Sequence, residues 1–254
     1  MPEEVLTERR DGALLITLNR PDARNAIDLS VAEGIAAALE ELDGAEDLSV
    51  GVLTGAGKGF CAGMDLKAFV SGQRPWVGDR GFAGIVRRSS AKPLIAAIEG
   101  FAVAGGLEVA LACDLIVAAR GAKLGIPEVK RSLVAAGGAL LRLPRRIPYH
   151  AAMELALTGD PIAAERAAEL GLVNRLAEPG GAVDEALRLA GEIAINAPLA
   201  LIASKRILQE QHDWPADEMW ERQAAISDPV FASEDAREGA TAFAQKRQPT
   251  WRGC

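Results

Sequence analysis

Glu108 and the glycine pair just ahead of it are the first residues in this chain whose types and spacing could do chemistry. They sit in residues 93–114, PLIAAIEGFAVAGGLEVALACD. Leu94 to Ile98 is a short apolar run after a proline, the length of a buried strand and too short for a helix. Gly100 breaks it. Gly105-Gly106 then open residues 106–112, an Ala- and Leu-rich segment that predicts a buried helix. Two glycines at a helix start leave backbone N–H groups bare, with the positive end of the helix dipole behind them. Glu108 follows Gly105 by three residues, so both face one side of the first turn. An anion-stabilising amide with a carboxylate one turn above it outlines a reaction centre. The same residues also suit close packing at Gly-Gly and an acid favoured by the dipole, so this stretch alone leaves both readings open. A membrane span does not fit, because Glu99, Glu108 and several glycines interrupt the run.

The elements that must position these residues follow from the rest of the chain. Residues 5–18 alternate and then run apolar around Asp11-Gly12, a hairpin pattern. Asn19-Arg20-Pro21-Asp22 is turn chemistry, with Arg24-Asn25-Ala26 in the loop behind it. Ser30 is a candidate N-cap for a helix through Leu42, which Asp43-Gly44 would end. Residues 48–54 predict a buried strand. Gly55, Gly57, Gly59 and Gly63 punctuate a loop leading into a short helix at 65–69. Residues 71–80 are polar and broken by Pro75 and Gly78, which predicts a mobile excursion in which Trp76 could line a pocket. A helix is expected at 82–89, a strand at 114–119 and a loop at Gly125-Ile126-Pro127-Glu128. From Gly137 helices dominate, at about 137–143, 147–157, 162–170, 183–196, 197–211, 214–226 and 234–246, with one short strand at 173–176. Pro198 interrupts two helical patterns and divides the chain into a core, 1–196, and a helical C-terminal region, 197–254.

Composition narrows the class. The chain has 254 residues, is 49% hydrophobic and carries a net charge of −7, which argues against non-specific binding to nucleic acid or anionic membrane. Three widely spaced cysteines, Cys61, Cys113 and Cys254, provide no disulfide framework and suit a reducing compartment. With only His150 and His212, a histidine metal site or a Ser-His-Asp triad has little to work with. The start, Met-Pro-Glu-Glu-Val, shows no apolar leader segment, and a cytoplasmic location is the expectation. A phosphate loop ending at Gly57-Lys58 would need glycine at 52 and Ser or Thr at 59, where Val52 and Gly59 stand. A dinucleotide fingerprint from Gly55 would need glycine at 60, where Phe60 stands. Cys61 has no histidine near it in sequence and suits a buried thiol better than a nucleophile.

Five pieces in order then point to a family. They are Asn19-Arg20-Pro21 through Arg24-Asn25-Ala26; Gly59 through Leu66 (GFCAGMDL); Glu99 through Glu108 (EGFAVAGGLE); Gly125-Ile126-Pro127-Glu128; and Ser233-Glu234-Asp235 through Arg247. Together they resemble the enoyl-CoA hydratase/isomerase (crotonase) superfamily over essentially the whole chain, and the ending resembles its carnitinyl-CoA dehydratase branch. The resemblance implies an α/β fold, a spiral of repeated ββα units with strands in two stacked sheets, followed by a helical C-terminal trimerisation region. It implies an acyl-CoA substrate, with coenzyme A part of the substrate and no further cofactor or metal. The thioester oxygen would meet the backbone N–H groups of Met64 and Gly105, and Arg24, Ala26, Ala62, Asp65, Leu66 and Lys67 would line the substrate site. Glu108 would hold a water and Glu128 would deliver a proton to Cα. Phe243 and Lys246, three apart on the last helix, would reach the adenine and phosphate end of CoA from a neighbouring subunit.

Three departures from the family pattern bear on this. Met64 replaces a more usual alanine, which a main-chain donor tolerates. Ala104 replaces a glycine, which is tolerable if its φ is negative. Residues 129–138, which lack a Gly and a Pro usual near 131 and 134, border the expected acyl pocket. The implied activity is reversible hydration of a 2-enoyl-CoA. A double-bond isomerase, needing one acid/base group, and an acyl-CoA-binding relative without turnover are the alternatives. Partners would be the acyl-CoA and further copies of the chain, as a homotrimer or a dimer of trimers, with neither nucleic acid nor membrane.

Overall fold

The computed structural model describes residues 3–254; Met1 and Pro2, the first two residues of the stretch read as lacking a leader and of the expected core, lie outside them. The strands are β1 (Val5–Arg10), β2 (Ala13–Leu18), β3 (Val50–Gly55), β4 (Trp76–Val77), β5 (Gly81–Phe82), β6 (Leu94–Ile98), β7 (Phe101–Val103), β8 (Leu115–Ala119), β9 (Lys123–Gly125), β10 (Ile162–Ala163) and β11 (Arg175–Ala177). The helices are α1 (Leu29–Gly44), α2 (Leu66–Val70), α3 (Gly105–Ala112), α4 (Ala139–Arg146), α5 (Tyr149–Thr158), α6 (Ala164–Glu169), α7 (Ala182–Ala194), α8 (Pro198–Glu210), α9 (Met219–Phe231) and α10 (Glu234–Gln245).

Six strands form the main sheet in the order β1-β2-β3-β6-β8-β11, antiparallel at the β1–β2 hairpin and parallel beyond it. Parallel strands covered on both faces carry apolar residues on both, which is why β3, β6 and β8 are near-continuous hydrophobic runs. Leu14, Ile16, Leu53, Ala96 and Ile116 face the larger core with α1 and α3, while Leu15, Val52, Ile95 and Val117 face α7.

A second sheet, β10-β9-β7, stacks the short strands that follow the long ones. It is extended by single bridges pairing Cys61 with Ala102 and Ile27 with Met64. The repeated unit is therefore a long strand in the main sheet, a short strand or bridge in the second, then a helix or 3-10 turn: β3, Cys61 and α2; β6, β7 and α3; β8, β9 and residues Pro127–Arg131. This is the expected crotonase-like spiral.

Some local expectations shift. Helix α1 starts at Leu29 because Asp28, ahead of Ser30, accepts the Val31 amide at 3.0 Å and caps it. No helix forms at 82–89. Ala83 and Gly84 both have positive φ, which ends any right-handed helix there, and Gly81–Phe82 instead pairs with Trp76–Val77 inside the expected excursion. Helix α9 runs over Met219–Phe231, later than the 214–226 expected, because a short 3-10 turn occupies Gln211–Asp213.

At Asn196-Ala197 the chain bends by 109° between α7 and the helix that follows. Buried Lys205 ties α8 back to the sheet, with its ammonium 2.6 Å from Asp114 and 2.8 Å from the Lys92 carbonyl. From the end of α8 onward the apolar side chains are poorly covered: Leu208, Trp220 and Phe231 are 70%, 80% and 78% exposed. The tail folds onto α10, where Asp235 accepts the amides of Arg252 and Gly253 and Glu238 pairs with Arg247. No single helix among the described residues is long and apolar enough to cross a membrane.

Candidate active site

Backbone hydrogen bonds lay four segments side by side. Ile27 N–H donates to the Gly63 carbonyl and Asp65 N–H to that of Ile27, both at 2.8 Å; Val103 N–H donates to Cys61 at 3.1 Å, and Ala104 N–H to Gly125 at 2.9 Å. Side chains and amides that are 80 residues apart in sequence thereby open onto one cleft of about 990 Å³. Arg24, Ala26, Ala62, Met64, Asp65, Leu66, Lys67, Gly105, Glu108 and Glu128 all line it. Phe243 and Lys246 do not. Phe243 is 87% exposed, and Lys246 lies past the last turn of α10 in a left-handed conformation, so it does not continue the helix face of Phe243.

Among the described residues, neither the Met64 nor the Gly105 amide has an acceptor, and both residues border the cleft. Gly63 permits their approach, since a Cβ there would stand 2.8 Å from the Gly105 nitrogen. Ala104, between Val103 and the helix, has φ 53° and ψ −132°. The condition of a negative φ is thus not met: the turn that aims the Gly105 amide demands a conformation natural to glycine, and alanine adopts it under strain. Asp65 has a structural task as well as its place on the cleft. It caps α2 through the Lys67 and Ala68 amides and pairs with Arg20, which Asp28 and the Ala26 carbonyl also hold.

Glu108 is 4% exposed, on a helix whose every residue is buried. One carboxylate oxygen accepts the Ala139 amide at 3.2 Å. Its other flank lies against Gly137, where a Cβ would sit 2.4 Å from Oε2, so only glycine leaves room for this carboxyl. Burial pushes the Glu108 pKa up to about 7; the Ala139 and Gly137 amides and Arg142 oppose this, and charge on Glu128 adds to it. Glu128 stands on the 3-10 turn Pro127–Arg131. Its Oε2 is buried without a protein hydrogen-bond partner, and burial raises its pKa against the pull of Arg131. The fold therefore brings together two carboxyls 20 positions apart, each with its neutral form favoured and each sensing charge nearby.

The rest of the wall includes residues the sequence did not single out. Trp76 lines the cleft as expected, packed edge-on against Phe82 with ring centroids 5.4 Å apart. Phe82 was hidden inside the expected helix. Arg131, Leu133, Val134 and Gly137 come from the loop after Glu128, where the Gly137-Gly138 pair was the available signal of a close approach. Cys61 is fully buried, and its thiol is pushed up to about 12 by that burial, which makes it inert. Among the described residues no three of His, Cys, Asp or Glu converge as a metal site requires.

A spiral of this form with a cleft between its rungs defines a crotonase-like fold. The family model for enoyl-CoA hydratase/isomerase matches residues 8–254, and the chain belongs to that family. It is 43% identical over 258 residues to an enoyl-CoA hydratase of Mycobacterium tuberculosis, covering 98% of this chain and 96% of the relative. It is 39% identical over 261 residues to a carnitinyl-CoA dehydratase of Salmonella paratyphi A, with both chains covered in full. The crystal structure of an enoyl-CoA hydratase from Mycobacterium marinum superposes with a TM-score of 0.97 at 58% identity, covering 99% of this chain and all of that one.

Proposed function

We propose that this enzyme is a hydro-lyase that adds water reversibly across the α,β double bond of 2-enoyl-CoA thioesters. The observation that carries this reading is the pair of carboxyls, buried Glu108 and half-buried Glu128, in one cleft with two acceptor-free amides. In this reading the thioester oxygen receives the Met64 and Gly105 amides. These hydrogen bonds strengthen as enolate charge develops and so lower the barrier more than they tighten ground-state binding. Ionised Glu108 takes a proton from water as its oxygen attacks Cβ, and protonated Glu128 gives a proton to Cα. The reverse path dehydrates a 3-hydroxyacyl-CoA with the same groups. A carboxyl with a pKa near 7 suits a base that must release its proton again at neutral pH. An isomerase would need one such group, so the presence of both favours the hydro-lyase.

Arg24 and Lys67 are assigned to the phosphate-bearing end of the substrate, where cations suit it. Phe243 and Lys246, exposed and away from their own cleft, are assigned to a neighbouring subunit's CoA. The bare apolar surface of Leu208, Trp220 and Phe231 supports assembly of 197–254 into a homotrimer or a dimer of trimers around the 1–196 core.

Hydration of crotonyl-CoA, followed by loss of the enoyl-thioester absorbance, tests the assignment. Glu108→Gln and Glu128→Gln should each cost roughly 10²–10⁴-fold in turnover, while acyl-CoA binding and circular dichroism stay near wild type. Turnover within about tenfold of wild type in either variant would sink the two-carboxylate reading.

A further inference from the structure

Arg131 ends the turn Pro127–Arg131, three residues after Glu128. A 3-10 turn has about three residues per revolution, so these two side chains leave it on one side, and both line the cleft. Lys130 between them is engaged elsewhere, paired with Asp160. Ser132 then turns left-handed at φ 54° and stops the helix, fixing Arg131 as its last residue. Among the described residues Arg131 has no ion pair and no side-chain hydrogen bond. Arg20, at the other end of the cleft, is held by Glu4, Asp28 and Asp65.

The ladder of the second sheet says which end of a substrate Arg131 meets. The rungs nearest the cleft run from Ile27–Met64, through Cys61–Ala102, to Ala102–Leu124, with Leu124–Ile162 beyond them. Arg24 and Lys67 flank the first rung, and Arg131 follows the third. Neighbouring strands lie about 4.8 Å apart, which separates the two ends by roughly 14 Å. The Met64 and Gly105 amides lie between them. A thioester oxygen held there, with its phosphates toward Arg24 and Lys67, sends its acyl chain toward Arg131. Beside Glu128, the chain around Arg131 adds the apolar side chains of Leu133 and Val134 to the wall. A plain hydrocarbon tail would leave the guanidinium with only water and the charge of Glu128 beside it. A carboxylate on the tail would complete a charge-assisted, bidentate pair.

We propose that Arg131 is a specificity-determining residue that selects acyl chains bearing a distal carboxylate. This rests on the acyl-CoA reading of the cleft, so the test measures binding without turnover. Calorimetric titration compares 4-carboxybutanoyl-CoA with its neutral isostere 5-methylhexanoyl-CoA, against wild type, Arg131→Ala and Arg131→Lys. Wild type should prefer the carboxylated thioester by about tenfold, the lower end of what a hydrogen bond to a charged group provides, since the guanidinium is solvent-exposed. The ratio of the two affinities should fall to about one or below in Arg131→Ala and be partly kept in Arg131→Lys, with the wild-type preference weakening as salt is raised. Equal affinities in wild type would overturn the proposal while leaving the acyl-CoA reading intact. An equal loss for both ligands in Arg131→Ala would overturn it too, by showing that the guanidinium serves the part they share. If neither thioester binds wild type, the acyl-CoA reading itself fails.

Discussion

Replacing Glu108 by glutamine should stabilise the protein at neutral pH while disabling it, and the size of the gain follows from the site. The carboxyl is held at about 7 against an ordinary 4.5, chiefly by burial. Each pH unit of such displacement corresponds to about 1.4 kcal/mol. Between these two values the unfolded chain has released the Glu108 proton and the folded chain still holds it. Stability therefore falls as pH rises through this window, by on the order of 3 kcal/mol in all. Glutamine has no proton to lose and can still accept the Ala139 amide. Its NH₂ group needs a new acceptor, which lowers the net benefit by a constant amount. The assay is urea unfolding of wild type and Glu108→Gln at one protein concentration and several pH values. The difference in stability should shift in favour of the variant by about 2–3 kcal/mol between pH 4.5 and 7 and be flat above about pH 8. A difference independent of pH within about 0.5 kcal/mol, or one that favours the variant only toward acid, would refute the assignment of a raised pKa to this carboxyl.

Two further outcomes are expected. Ala104→Gly relieves a strained backbone worth about 1–3 kcal/mol and costs about 0.5–1 kcal/mol of extra chain entropy, so the denaturation midpoint should rise; a fall would show that the alanine methyl contributes more than its backbone costs. Sedimentation equilibrium at micromolar concentration should give three or six times the chain mass, and a monodisperse monomer would remove the role assigned to residues 197–254.

Much of the fold was legible because its strands are short and buried on both faces. Leu94–Ile98 was bounded correctly by a proline, a glycine and five apolar residues in a row. The α3 helix was visible in its Ala-Leu composition despite holding a buried glutamate. The failures share one cause, in that local pattern yields to a tertiary requirement. Apolar spacing at 82–89 suggested a helix, but Phe82 is needed on the cleft and Gly84 must lie against α1, where a Cβ would meet the Ala32 carbonyl at 2.3 Å. Ala104, standing where the family has glycine, left its φ open, and its place between β7 and α3 sets φ at 53°. Of the site itself, Glu108 drew notice locally beside Gly105-Gly106 although its stretch left two readings open, whereas Glu128 among 35 acidic residues stood out only through the family pattern. Arg131 and Gly137 could not be found without the fold, because what matters about them is what they face.

The hairpin β4–β5 belongs to neither of the two larger sheets, although Trp76 and Phe82 form part of the cleft wall. It is fastened from behind: the Arg80 guanidinium holds the Arg88 carbonyl, Gly84 lies against α1, the Phe82 ring lies against Gly105, and Ala83, Ile85 and Val86 are buried in the larger core. Residues 71–79, largely exposed ahead of that anchored part, are therefore a detachable panel. It can be lengthened, shortened or exchanged without breaking a rung of either ladder, provided those fastenings remain. The reacting groups stay where they are while the shape they work within is rewritten. A library confined to residues 71–79 would consequently remodel what the cleft admits and leave the two amides and two carboxyls in register.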